Sequence, residues 1–247
     1  MRITRFFIVF FTFLFSLNIY ANEQVEAALS NNLVPVTMSY KGSEVTLMGD
    51  IIGDSEIIIE VRGLPGQAQV WKKERVFGIW VNRRSVTFES VPGFYMLAAS
   101  KDINELMDPE VLRQKRISLA SVIGRPIENI DESELEYWRQ ALVRNMQKQG
   151  RWVEEVSDVN FVGDHLFQAR LNFPANAPIG SYEVYIYAVK DGDVVSAQTT
   201  SLSIDKIGLL ARVWELAQFK PLLYGILATI ISCIVGYGLM TYLQRRR

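Results

Sequence analysis

Hydrophobic and polar residues follow several different patterns along this chain. From Leu222 to Leu243 no position is charged; as a helix that run reaches roughly 33 Å, enough to cross a hydrocarbon core of about 30 Å. A lone span must be helical, because its backbone has to satisfy its own hydrogen bonds in lipid. Between Val34 and Ala99 the apolar runs are short and β-branched: Val34 to Tyr40, Glu44 to Ile52, Glu56 to Arg62, Gln67 to Lys72, Ile79 to Ser90 and Phe94 to Ala99. Gly, Ser, Asp or Pro punctuates most of them, which is the signature of strands and turns. The consecutive isoleucines of EIIIEVR predict a strand buried on both faces.

From Lys101 to Gly150 the period lengthens. Asp108-Pro109 predicts a capped short helix to about Arg116. Asp131 and Glu134 have capping-box spacing, Leu135, Trp138, Leu142 and Met146 repeat at helical intervals, and Gly150 supplies a stop. Such an apolar stripe needs a partner, most simply the outer surface of the preceding sheet. Strand patterns then return at Trp152 to Phe161, His165 to Phe173, Ser181 to Val189 and Val194 to Ile204. In SYEVYIYAV, Tyr182, Val184, Ile186 and Ala188 alternate with Glu183, Tyr185, Tyr187 and Val189. A Pro-Gly turn into a Tyr-initiated strand and a hairpin through Asp-Gly read as the ending of an Ig-like sandwich. Gly208 to Phe219 reads as a short amphipathic helix joining domain to span.

The fold class expected is therefore mainly β: an Ig-like sandwich with a helical insertion at about 101–150, plus one C-terminal transmembrane helix. One discontinuous β assembly is preferred, and two small packed β modules fit the same strand count. At the other end, Arg2 and Arg5 precede an apolar run from Phe6 to Tyr20, and Ala21 suits the position before a cleavage site. This predicts a signal segment over 1–21 cleaved between Ala21 and Asn22, with an uncleaved anchor as the alternative. The remaining divisions are 22–207 for the β-rich domain, 208–220 for the juxtamembrane helix, 221–243 for the span and 244–247 for the tail. Arg245, Arg246 and Arg247 are the flank retained in the cytoplasm, so the domain is expected in the periplasm of a single-pass inner-membrane protein.

Composition narrows the chemistry. All 27 acidic residues lie between Asn22 and Lys220, whereas five of the 26 basic ones lie outside, leaving that segment at a net charge of −6. An acidic domain argues against nucleic acid as partner. The single cysteine, Cys233, falls inside the span, so the domain holds together without disulfides or thiolate metal sites. One histidine, His165, excludes histidine triads and His-rich ligand sets. No catalytic or metal-ligating residue and no cofactor is therefore assigned. Two stretches remain. Trp71 to Arg84, WKKERVFGIWVNRR, interleaves aromatic and basic residues; Lys73, Arg75, Trp80, Asn82 and Arg83 are candidates for binding a partner protein or an oxyanion such as sulfite. The alternative is an exposed strand pair whose charges oppose edge-to-edge aggregation. Within the span, Ala228, Ser232 and Gly236 form a small-residue stripe for helix packing.

KKERVFGIWVN from Lys72 to Asn82, VPGFY from Val91 to Tyr95, and the block from Leu171 to Ile204 running on through Lys206-Ile207-Gly208 to Pro221-Leu222-Leu223-Tyr224-Gly225 resemble motifs of the alphaproteobacterial transmembrane protein family with a C-terminal anchor. The resemblance implies a bacterial inner-membrane protein with a periplasmic domain, often encoded beside permeases of the TauE/SafE sulfite-exporter type. It implies no established activity. The reading expected is thus a non-enzymatic accessory or binding protein serving a membrane partner, a permease or a second copy. Competing readings are a carboxylate- or metal-dependent periplasmic hydrolase and a solute-binding module presenting anions to a transporter.

Overall fold

The computed structural model describes residues 24–244. The expected signal segment, its cleavage between Ala21 and Asn22, and the arginines at 245–247 lie outside the described residues. Eleven strands and six helices are described: β1 Val25–Leu29, β2 Leu33–Val36, β3 Gly42–Ile51, β4 Glu56–Gly63, β5 Pro65–Val76, β6 Ile79–Pro92, β7 Tyr95–Ala99, β8 Trp152–Val162, β9 Leu166–Pro174, β10 Gly180–Lys190 and β11 Asp193–Lys206. The helices, in chain order, are α1 Ile103–Leu106, α2 Pro109–Lys115, α3 Leu119–Val122, α4 Glu132–Lys148, α5 Gly208–Phe219 and α6 Pro221–Gln244.

Nine strands are hydrogen-bonded in the order β1-β3-β9-β8-β7-β4-β10-β11-β2, while β5 and β6 form a separate hairpin. The β assembly is thus one, interrupted in sequence by the helical segment, rather than two modules. β8 pairs in parallel with β7 through Trp152 to Asp158, then antiparallel with β9 through Val159 to Val162, so it passes from one layer to the other. The layers face each other because the alternation of their sequences points the aliphatic set inward. Val45 and Leu47 of β3, Phe167 and Leu171 of β9, Ile57 and Ile59 of β4, and Val184 and Ile186 of β10 share one buried cluster. Across the other side Ala27 N donates to Gln198 Oε1 at 2.6 Å, tying β1 to β11.

A second cluster lies on the outer face of β4 and β7. Ile58, Tyr95, Leu97 and Ala99 pack there with Trp138, Leu142 and Met146 of α4 and with Val70, Val86 and Phe88 of the hairpin. β4 is buried on both faces because each of its sides meets one of these clusters. Asp108 caps α2 as its spacing predicts, accepting from Glu110 N at 2.8 Å. The capping box at Asp131 and Glu134 does not form: the Asp131 side chain makes no cap bond, and the Glu134 carboxylate pairs with Arg84 of β6 at 2.8 Å. Gly63 to Gly66 form only a step between strands. Gly63 N donates to Phe94 O and Gly93 N to Leu64 O, so the chain runs from β4 almost directly into the hairpin.

α6 is long and apolar enough to cross a membrane, and among the described residues it is the one such helix.

Candidate functional site

The hairpin is the element that the two cores leave uncovered. Its base is held: Val70, Val86 and Phe88 are buried, Thr87 N donates to Glu128 Oε2 at 2.8 Å, and the Arg84 guanidinium pairs with Glu134 and lies 5.9 Å from the Trp138 ring. Beyond Arg84 the ribbon continues free of the domain to a two-residue turn, Phe77-Gly78. Both turn residues have positive φ, +48° and +86°, the conformation that matches the twist of a hairpin and that Asn-Gly or Gly-Gly normally supplies. In a phenylalanine it costs roughly 1–2 kcal/mol. Phe77 offsets none of this by burial, since it is fully exposed at 101%, and Ile79 at 68% and Trp80 at 65% stand beside it.

The register places Lys73 opposite Asn82 and Arg75 opposite Trp80, so these four share one face of the ribbon. Arg83 does not join them. The register skips it between Lys72↔Arg84 and Lys73↔Asn82, and its guanidinium pairs with Glu74 at 3.2 Å. Sequence spacing missed this because a bulge shifts every later side chain by one face. Arg75 Nε reaches back to Gly78 O at 3.3 Å, stiffening the turn. The arrangement is an exposed apolar tip backed by cationic side chains on an otherwise acidic domain.

The base of the ribbon sits at the end of the sandwich from which the chain leaves for α5, because Gly63 pairs with Tyr182 and Gly180 with Ile204. α4 ends at that same end, where Tyr95 N takes Arg151 O. The Arg84 contact lies near the opposite terminus of α4, so the base of the ribbon runs back along α4.

A buried polar cluster lies under the helices. Glu60 has no exposed surface, and its Oε2 accepts from Arg62 at 2.6 Å. Arg62 also donates to Arg116 O at 2.7 Å, binding the C-terminal end of α2 to the sheet, and its guanidinium lies 4.8 Å from the Tyr185 ring. Burial pushes the Glu60 carboxyl above the ordinary carboxylate range, against the pull of Arg62. The same burial and the Glu60 charge raise the Tyr95 and Tyr187 hydroxyls. No sequence pattern marks this group beyond a lone Glu inside a strand buried on both faces.

Between the sheet and the helices lies a cleft of about 670 Å³, with Asp102 and Glu136 among the residues lining it. Each carboxylate is already bonded: Asp102 Oδ1 caps α1 by accepting from Asn104 N at 2.9 Å, and Glu136 accepts from Gln140 at 3.1 Å. Among the described residues no group of three or more His, Cys, Asp or Glu is placed to hold a metal. In α6 Ala228, Ser232 and Gly236 are exposed, Ser232 Oγ donates back to Ala228 O at 2.8 Å, and a Cβ on Gly236 would meet nothing within 4 Å. That side of the helix is narrow and self-satisfied.

Comparison with known proteins adds the following. The family model described as "Putative transmembrane protein (Alph_Pro_TM)" matches residues 24–245. A search of curated proteins finds no match. Among solved structures, the sporulation control protein Spo0M from Bacillus subtilis is similar at 10% identity with a TM-score of 0.31; the similarity covers 80% of this chain and 55% of that one, so the chain spans about half of it.

Proposed function

The chain belongs to this transmembrane protein family, and from that premise we propose that it is a membrane-anchored periplasmic accessory protein that captures a partner with the tip of its β5–β6 hairpin. α6 is the C-terminal anchor, with the β domain on the export side of a bacterial inner membrane and the terminal arginines in the cytoplasm. The Ig-like reading of the sandwich has support in the Tyr182 hydroxyl, which donates to the Pro178 carbonyl just before β10, as the corner tyrosine of such domains does.

The observation that carries the proposal is Phe77. A large apolar residue held in a costly backbone conformation, with no contact inside its own chain, has a use only when something else buries it. Lys73, Arg75 and Trp80 beside it favour a partner surface that is acidic and apolar together. A permease of the sulfite-exporter type is the partner class proposed, with the Ala228, Ser232 and Gly236 stripe as the second contact, inside the bilayer.

The test is affinity purification of the full chain from mild detergent after crosslinking. Lys73→Ser, Arg75→Ser and Trp80→Ser together should remove the co-purifying membrane protein while leaving the melting temperature unchanged, since all three side chains are exposed. Undiminished capture by the folded variant rejects the proposal.

A further inference from the structure

The cleft between sheet and helices has a composition that the hairpin reading does not use. Its floor is Tyr95 and Leu97 of β7, beside the point where β8 spends two residues more than β7 between Met96↔Val153 and Ala98↔Ser157. That irregularity is a break in the regular β7–β8 register. One wall is α4: Glu136, Arg139, Gln140, Val143 and Arg144 follow helical spacing on the flank of the stripe that Trp138, Leu142 and Met146 bury. The other wall sets Leu112 and Leu119 among the polar Asp102, Asn104, Arg113 and Ser118.

Polar valence inside this space is unfilled. Arg139 Nε is buried without a hydrogen-bond partner. Neither Arg139 nor Arg144 has an ion pair among the described residues, whereas Arg113 on the facing wall is neutralised by Glu110. A buried guanidinium nitrogen without an acceptor is unfavourable in the free protein and becomes satisfied when an anion arrives. The volume is that of a small-molecule site, and its apolar side chains are interleaved with the charged Asp102, Arg113, Glu136, Arg139 and Arg144.

We propose that this cleft binds a small amphipathic carboxylate, its apolar body against Leu97, Leu112 and Leu119 and its head on Arg139 and Arg144. The site is separate from the hairpin, and its test is independent of any protein partner. Octanoate is titrated calorimetrically into the full chain in lipid nanodiscs, with empty nanodiscs subtracted and 1-octanol as the uncharged counterpart. Saturable one-to-one binding of octanoate is expected, weakened at least ten-fold by Arg139→Gln with Arg144→Gln, while octanol binding is unchanged by that pair. Gln140→Trp, at an exposed position on the lining, should block both ligands without disturbing the fold. Equal binding of octanoate and octanol overturns the proposal, as does indifference of octanoate to the arginine pair. Absence of saturable octanoate binding up to millimolar concentration does the same.

Discussion

Replacing Arg62 by Met should make the stability of this domain depend steeply on pH. In the native chain Glu60 is fully buried, and the Arg62 guanidinium 2.6 Å away is the cation that neutralises it. Burial already holds the Glu60 carboxyl above its ordinary value, so the folded state binds that proton more tightly than the unfolded chain does. The sign follows: the stabilising contribution is complete below the unfolded carboxylate value and is lost as pH rises through the raised folded value. Without Arg62 the carboxylate is stranded, and breaking a buried pair by removing one partner costs about 3–5 kcal/mol. At about 2–4 °C per kcal/mol for a domain of this size, the melting temperature at pH 7.5 should fall by roughly 10 °C. At pH 5 the fall should be smaller, because the stranded group takes up a proton instead. Glu60→Gln added to Arg62→Met removes the charge and should recover more than half of the loss. Thermal unfolding of the full chain in mild detergent, followed by tryptophan fluorescence at both pH values, reads all three variants. A single variant within 2 °C of the parent at pH 7.5, or a double variant no better than the single, refutes Glu60 as a buried charge held by Arg62.

Other perturbations bear on separate parts of the account. Phe77→Asn puts a residue suited to positive φ into the turn and should raise stability by about 0.5–1 kcal/mol, while abolishing partner capture; a loss of both refutes the reading of Phe77 as a functional exposure. Gly124→Ala should unfold the domain or cut its melting temperature severely, because a Cβ there would come within 1.8 Å of Glu89 O. Trp138→Ala removes the largest side chain between α4 and the sheet and should cost about 3–5 kcal/mol in denaturant unfolding. Ser232→Leu with Gly236→Leu should abolish self-association or permease docking through α6, read by crosslinking in membranes, and leave the β domain unchanged.

Much of the architecture was legible because it is written in local periods. The stripe Trp138, Leu142, Met146 and the alternation of Tyr182, Val184, Ile186, Ala188 each name a buried face directly, and both are buried as read. The charge-free run at 222–243 likewise lies within one helix, Pro221–Gln244. What stayed hidden depends on how distant segments meet. Arg83 parts from Lys73 and Arg75 because of one skipped residue in the register, which no spacing reveals. Glu134 reads as half of a capping box until Arg84, fifty positions away, claims its carboxylate. The cleft is lined by the flank of α4, by Tyr95 and Leu97 of β7 and by the short helices, segments far apart in sequence, and the buried Arg139 Nε without a partner has no local signature at all.

The most direct test of the central claim, a β domain held on the export side by one C-terminal helix with its hairpin tip free, uses the single native cysteine. Cys233→Ser supplies a thiol-free background in which Phe77→Cys or Arg247→Cys is the one reactive site. With a membrane-impermeant maleimide, Phe77→Cys should label in intact spheroplasts and Arg247→Cys only after lysis. The reverse pattern, or a shielded position 77 in spheroplasts lacking any partner, contradicts the account.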